Sequence, residues 1–271
     1  MQGNALDITT ETRHLDGVLR PASIFCGVIA AIGIGGSLVL ANGSEGGMDH
    51  LLETYLVSFS FFLSISLGAL FFVLLQHCTR AGWSVVVRRV AEALAGNVWL
   101  MAVLAIPIVI GMDHLYHWTD TAAAAHDPRL AGKLGFLNPS FFIVRLIAYF
   151  FIWGVMASYL HRTSISQDAS GDPGLTLRME RLSAPGMVLF ALSLNFAAFD
   201  LLMSLDPHWF STIFGVYYFA ASVVVFLAVM PKILYGLQMR GILKNAITVE
   251  HYHDFGKLLF GFIVFWAYIA F

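Results

Sequence analysis

With 271 residues, of which 58% are hydrophobic and 12% charged, and with 23 phenylalanines, the chain carries more apolar side chain than a soluble domain of its size needs to fill a core. A formal net charge of −2 excludes the basic footprint of a nucleic-acid binder. Two isolated cysteines, Cys26 and Cys78, exclude a disulfide framework or a cysteine-held cluster. The composition is that of an integral membrane protein.

The first twenty residues place Asp7 and Glu11 ahead of Arg13 and lack both the basic start and the small-residue cleavage site of a signal peptide. Residues 1–20 therefore read as an N-terminal segment on the cytoplasmic side, and 21–271 as the membrane domain. Apolar windows follow at 21–41, 55–76, 90–112, 140–160, 185–204 and 211–230. Each is about 20 residues, which suffices for roughly 30 Å of hydrocarbon. A seventh window opens near Leu258 and ends with the sequence at Phe271, some 21 Å of helix. It is expected to be an incomplete span, the chain being the front part of a longer protein, because unpaired carbonyls in mid-bilayer have no partners.

Twelve of the fifteen lysines and arginines fall on one side of this arrangement, including Arg20, Arg80, Arg88, Arg89, Arg162, Arg178, Arg181, Arg240 and Lys244. The opposite side has Arg129 and Lys133, while Arg145 lies within the fourth window. The positive-inside rule then puts the N-terminus in the cytoplasm and the 42–54, 112–139 and 205–210 connections outside. Thr121 to Ala125 is a small-residue stretch of the longest outer connection, which is a candidate cover for a site.

Small residues recur every fourth position at Gly27, Ala31 and Gly35 and at Ser60, Ser64 and Gly68, a pattern that lets helices approach closely. Pro107 should loosen the third helix a turn before its outer end and free backbone groups that a neighbour must satisfy. Glu92 reads as a headgroup-level residue, and the polar run Glu250 to Lys257 as a solvated loop, since His251 and His253 are poorly spaced for helical metal ligands. No metal site is expected.

Two clusters at the outer ends carry candidate chemistry. In 111–118 Asp113 and His117 are four apart and His114 and His117 three apart, so a continuous helix would put them on one face as proton acceptors or relays. The same segment, with Tyr116 and Trp118, also fits an interfacial aromatic belt. In 199–220 Asp200, Asp206 and His208 sit where one apolar helix ends and the next begins, and acids at such depth are normally paired or functional. Asp206 before Pro207 suits a helix cap equally well. Arg145 enters the fourth span at a depth similar to Asp200 on the fifth, so an ion pair between them would offset both burial costs. Asp113, His114, His117 and Asp200 are thus candidates for proton chemistry, and Arg145, Asp206 and His208 for lining the same outer pocket. The ten histidines lie at span ends or in loops, which argues against buried haem.

The segments 111–118, 199–220 and FWAYIAF at 265–271, with MSLDPHWFSTIFGVYYF at 203–219 the most specific, resemble a quinone-binding membrane subunit of bacterial alternative complex III, a quinol:cytochrome c oxidoreductase. That family belongs with the NrfD-like and polysulfide-reductase membrane subunits. The resemblance implies an all-α transmembrane bundle, here one four-helix bundle and the start of a second, in a bacterial inner membrane. It implies menaquinone or ubiquinone as ligand, with no haem or iron–sulfur cluster in this chain. Its implied partners are an iron–sulfur protein, c-type cytochromes and a homologous quinone-binding subunit. Quinol oxidation, proton conduction and bracing of the assembly all stay open for such a subunit. The buried acids alone would also allow a secondary transporter or channel, although inverted repeats and interrupted mid-membrane helices are not evident.

Overall fold

The computed structural model describes residues 16–120 and 126–271, with side chains from Arg20 onward. The expectations for Asp7, Glu11, Arg13 and the 121–125 stretch lie outside the described residues. Among the described residues the chain is helical throughout, and seven helices or helix stacks are long and apolar enough to cross a membrane.

The first crossing is α1, Asp16–Asn42, and the second α2, Gly47–Cys78. The third is a stack of α3, Val85–Gly96, α4, Val98–Leu104, and α5, Ile106–Ile110. Short helices α6, Met112–Leu115, and α7, Pro128–Ala131, lie in the connection that follows. The remaining crossings are α8, Pro139–Ser170, α9, Pro173–Leu201, α10, Phe214–Gln238, and α11, Val249–Ala270.

The helices are longer than their apolar windows because polar caps extend them. Asn138 accepts from the Phe141 N–H and starts α8, while Asp172 accepts from the Gly174 N–H and starts α9. Gly171, at a φ of +66°, ends α8 in the left-handed conformation that glycine favours. At Thr248 a capping box with His251 starts α11, so Glu250 to Lys257 form its first turns and are not a loop. The seventh helix thereby reaches 22 residues, with its apolar part still near the end.

Helix α2 is the centre of the bundle, lined by α3–α5, α9 and α10, with α8 packed on α9 and on the third crossing. Leu63, Leu67, Leu70 and Leu74 on α2 are buried, and Phe72 meets Phe226 of α10 at 5.3 Å between centroids. Helix α11 lies against α10, whereas α1 touches α2 and otherwise exposes its sides. Accordingly Gly27 and Gly35 have nothing near their Cα hydrogens, but the second small-residue stripe is used. A Cβ on Gly68 would overlap the Ser222 carbonyl and lie 2.6 Å from the Phe226 Cβ. Gly68→Ala should therefore push α2 and α10 apart and destabilise the protein by about 1–3 kcal/mol, read as a lowered melting temperature in detergent.

The third crossing breaks at Ala105, just before Pro107, as a proline without an N–H requires. Tyr55 of α2 donates its hydroxyl to the Leu104 carbonyl at 2.6 Å, which supplies the partner that a loosened helix needs in lipid.

Candidate functional site

At the end of the bundle opposite the arginines, the expected pair forms between the fourth and fifth crossings. Arg145 Nε and Nη2 donate to Asp200 Oδ2 and Oδ1, both at 2.8 Å, in a bidentate fork. Asp200 is 1% exposed and Arg145 8%. Tyr149 donates its hydroxyl to Asp200 Oδ2 at 2.8 Å, and Arg145 Nη1 donates to the Phe136 carbonyl at 3.0 Å. The guanidinium is also held between the rings of Phe136 and Phe141, 3.8 and 4.2 Å from their centroids. Every strong donor of Asp200 is thus in place, and the backbone beside it is tied as well, with Ser204 Oγ donating to the Asp200 carbonyl.

The other predicted residues are arranged less simply. Helix α6 stops at Leu115 and Tyr116 is extended, so Asp113 and His117 do not share a helical face. Both are exposed, as is His114, which pairs through Nδ1 with Asp49 Oδ1 of α2 at 2.7 Å. Tyr116 and Trp118 are fully buried and stack at 5.3 Å, packing on Phe142, so they form part of the core and not a lipid-facing belt. Burial, with the Asp200 charge adding to it, raises the Tyr116 phenol well above its ordinary range, and its hydroxyl stays protonated to donate to the Leu201 carbonyl.

Asp206 does not start a helix. Its carboxylate accepts the His208 N–H at 3.0 Å and shapes the turn, while α10 begins only at Phe214. His208 reaches across to the long connection, where its Nε2 meets Asp127 Oδ2, and Lys133 Nζ donates to the Pro207 carbonyl at 2.6 Å. Asp127 also caps α7 through the Arg129 and Leu130 N–H groups. The His208 hydrogen bond first, and the Arg129 N–H next, hold the Asp127 carboxyl below its ordinary value. Asp127 and Lys133 escaped the sequence reading, because contacts over 81 and 74 residues between loops leave no periodic signal.

Beneath this clip lies a pocket of ≈ 500 Å³. Lys133, Phe136, Phe199, Ser204, Trp209 and Phe210 are among its walls. Phe136 and Ser204 belong at once to the pocket and to the contacts of the Arg145–Asp200 pair, so the buried pair lies behind the pocket wall. Aromatic walls with few polar groups suit a flat, apolar ring carrying oxygen atoms.

A second polar concentration lies at the arginine-rich end, where α2, α3, α8 and α9 converge around a cavity of ≈ 540 Å³. Glu92 lies there 2% exposed, enclosed by the bundle. No family model matches the chain, and no curated protein matches it.

Proposed function

We propose that this protein is a membrane subunit of a respiratory quinol-oxidising complex, binding quinone or quinol in the aromatic pocket beneath the His208–Asp127 clip and taking up protons there. The observation that carries the reading is the coincidence of that pocket, ≈ 500 Å³ with Phe136, Phe199, Trp209 and Phe210 in its walls, with the 203–219 segment that carries the resemblance to alternative complex III. Its size falls within the roughly 300–1,000 Å³ of small-ligand sites.

The roles follow from the contacts. The aromatic walls hold the ring, and Lys133 Nζ orients a quinone oxygen in place of the Pro207 carbonyl it now binds. With His208 Nε2 donating to Asp127, its Nδ1, 3.8 Å from Asp206 Oδ1, is the acceptor for a hydroxyl proton. The Arg145–Asp200–Tyr149 group keeps a fixed dipole behind the Phe136 wall and is a positioning element, since its groups are already mutually satisfied. Menaquinone or ubiquinone is the substrate, and the electrons leave to an iron–sulfur partner, with c-type cytochromes and a homologous membrane subunit completing the assembly. In this reading the arginine-rich end faces the cytoplasm of a bacterial inner membrane, and the helices belong to an NrfD-like arrangement.

A photoreactive quinone analogue tests it in the assembled complex. Crosslinks should map to the 199–210 and 133–137 segments and be displaced by excess quinone, and Trp209→Ala should weaken the analogue's binding about tenfold. Crosslinks confined to other subunits would sink the proposal.

A further inference from the structure

The cavity at the arginine-rich end holds charges that are mostly paired at its mouth. Arg80 Nε lies 3.0 Å from Glu180 Oε2, and Arg89 Nη2 donates to Asp168 Oδ2 at 2.5 Å. Farther in, the pairing fails. Glu92, whose side chain is 1% exposed, has Arg88 Nε at 3.7 Å, Arg89 Nε at 3.5 Å and His161 Nδ1 at 3.7 Å, and neither of its oxygens makes a direct hydrogen bond. His77 of α2, 1% exposed, lines the same cavity with both ring nitrogens unpartnered.

A buried carboxylate with ion-pair contacts but no direct hydrogen bond, and a buried imidazole without a partner, are unfavourable unless water fills the space, and polar separations just beyond hydrogen-bond range are those that a bridging water closes. The cavity is large enough to hold several waters and is lined by further polar groups, Ser164, Gln167 and Thr176.

We propose that Glu92 and His77 form a hydrated proton-binding site that exchanges with solution at the arginine-rich end, separate from the quinone pocket at the opposite end. The ligand is a proton delivered by water. One O–H bond of a hydronium breaks as the Glu92 carboxylate takes the proton, leaving neutral water and a neutral carboxyl. The groups that face Glu92 divide in their effect. Arg88 and Arg89 of its own helix favour the ionised form, while Asp168 of α8 opposes it, and Arg80 and Glu180 pair with each other at the mouth of the same cavity. His77 of α2 and His161 of α8 are the neutral bases that can pass the proton onward. Deeper in the bundle, fully buried Trp153 and Phe190 fill the interior between this site and Asp200, so exchange runs to one side only.

Infrared difference spectroscopy on the full chain in lipid nanodiscs, stepped in pH, tests this independently of quinone. A protonated-carboxyl C=O band should appear as pH falls, shift in D2O, and vanish in Glu92→Gln while surviving in Asp168→Asn. If Glu92→Gln does not accumulate, residue-selective ¹³C labelling of glutamate in the wild type, with His77→Gln altering the pH at which the band appears, makes the assignment. A glutamate band that is absent wherever the fold persists would leave Glu92 a permanently ionised structural pair and overturn the proposal. So would a band that does not shift in D2O, since the site would then be sealed from solution.

Discussion

Asp200→Leu, with Arg145 left in place, is expected to destabilise the protein by about 3–5 kcal/mol, the largest effect of any single change in the bundle. The loss comes from what remains. Arg145 is 8% exposed, and without its partner it keeps a single carbonyl, that of Phe136, against a full positive charge. Tyr149 loses the acceptor of its hydroxyl at the same time. The double variant Arg145→Met with Asp200→Leu removes both charges together and should recover most of that loss, because replacing a buried pair by apolar groups is often neutral. Melting temperatures of the three proteins in one detergent, compared as a double-mutant cycle, provide the measurement. A double variant no more stable than Asp200→Leu would show that the pair's fixed geometry, and not charge compensation, holds the two helices. Turnover of the double variant in its assembled complex separates the two roles: activity restored with stability makes the pair a brace, whereas activity still missing makes its dipole part of the site.

That pair was legible in the sequence because a membrane leaves few options. An arginine and an aspartate at the same depth on consecutive antiparallel spans must find each other or lie unpaired in hydrocarbon. The crossings were legible for the same reason, although apolar windows measure only the part in lipid. Asn138 and Asp172 extend α8 and α9 beyond it, and Thr248 does the same for α11. The break at Tyr116 was not legible, since nothing in 111–118 marks where helix gives way to an extended residue that buries its ring beside Trp118. The enclosure of Glu92 and His77 was not legible for a different reason. Charged residues near span ends ordinarily reach the headgroups, and only the convergence of four helix ends encloses these two. A clue was present in the clustering of Gln76, His77, Arg88, Arg89, Glu92, His161 and Glu180 at one depth on four spans.

His208→Ala should reduce quinol-dependent reduction of cytochrome c at least a hundredfold in the assembled complex, the lower bound for loss of a positioned general base. The fold should survive, because His208 is exposed and its ring contacts are the loop carboxylates of Asp127 and Asp206. Asp127→Asn is the informative companion. It keeps an oxygen that can accept from His208 Nε2 but removes the carboxylate charge, so activity should fall less than with alanine and its pH profile should change shape. The sign follows from the depressed Asp127 carboxyl: the native clip is complete above the ordinary carboxylate range and is lost as pH falls through the lowered folded value. Wild-type turnover should therefore carry an Asp127 contribution to its acid limb, beside the one any general base shows as it takes up a proton, and Asp127→Asn should remove that contribution. Unchanged turnover in His208→Ala would move the proton-accepting role away from the clip, and an acid limb identical in Asp127→Asn and wild type would show that Asp127 does not contribute to it.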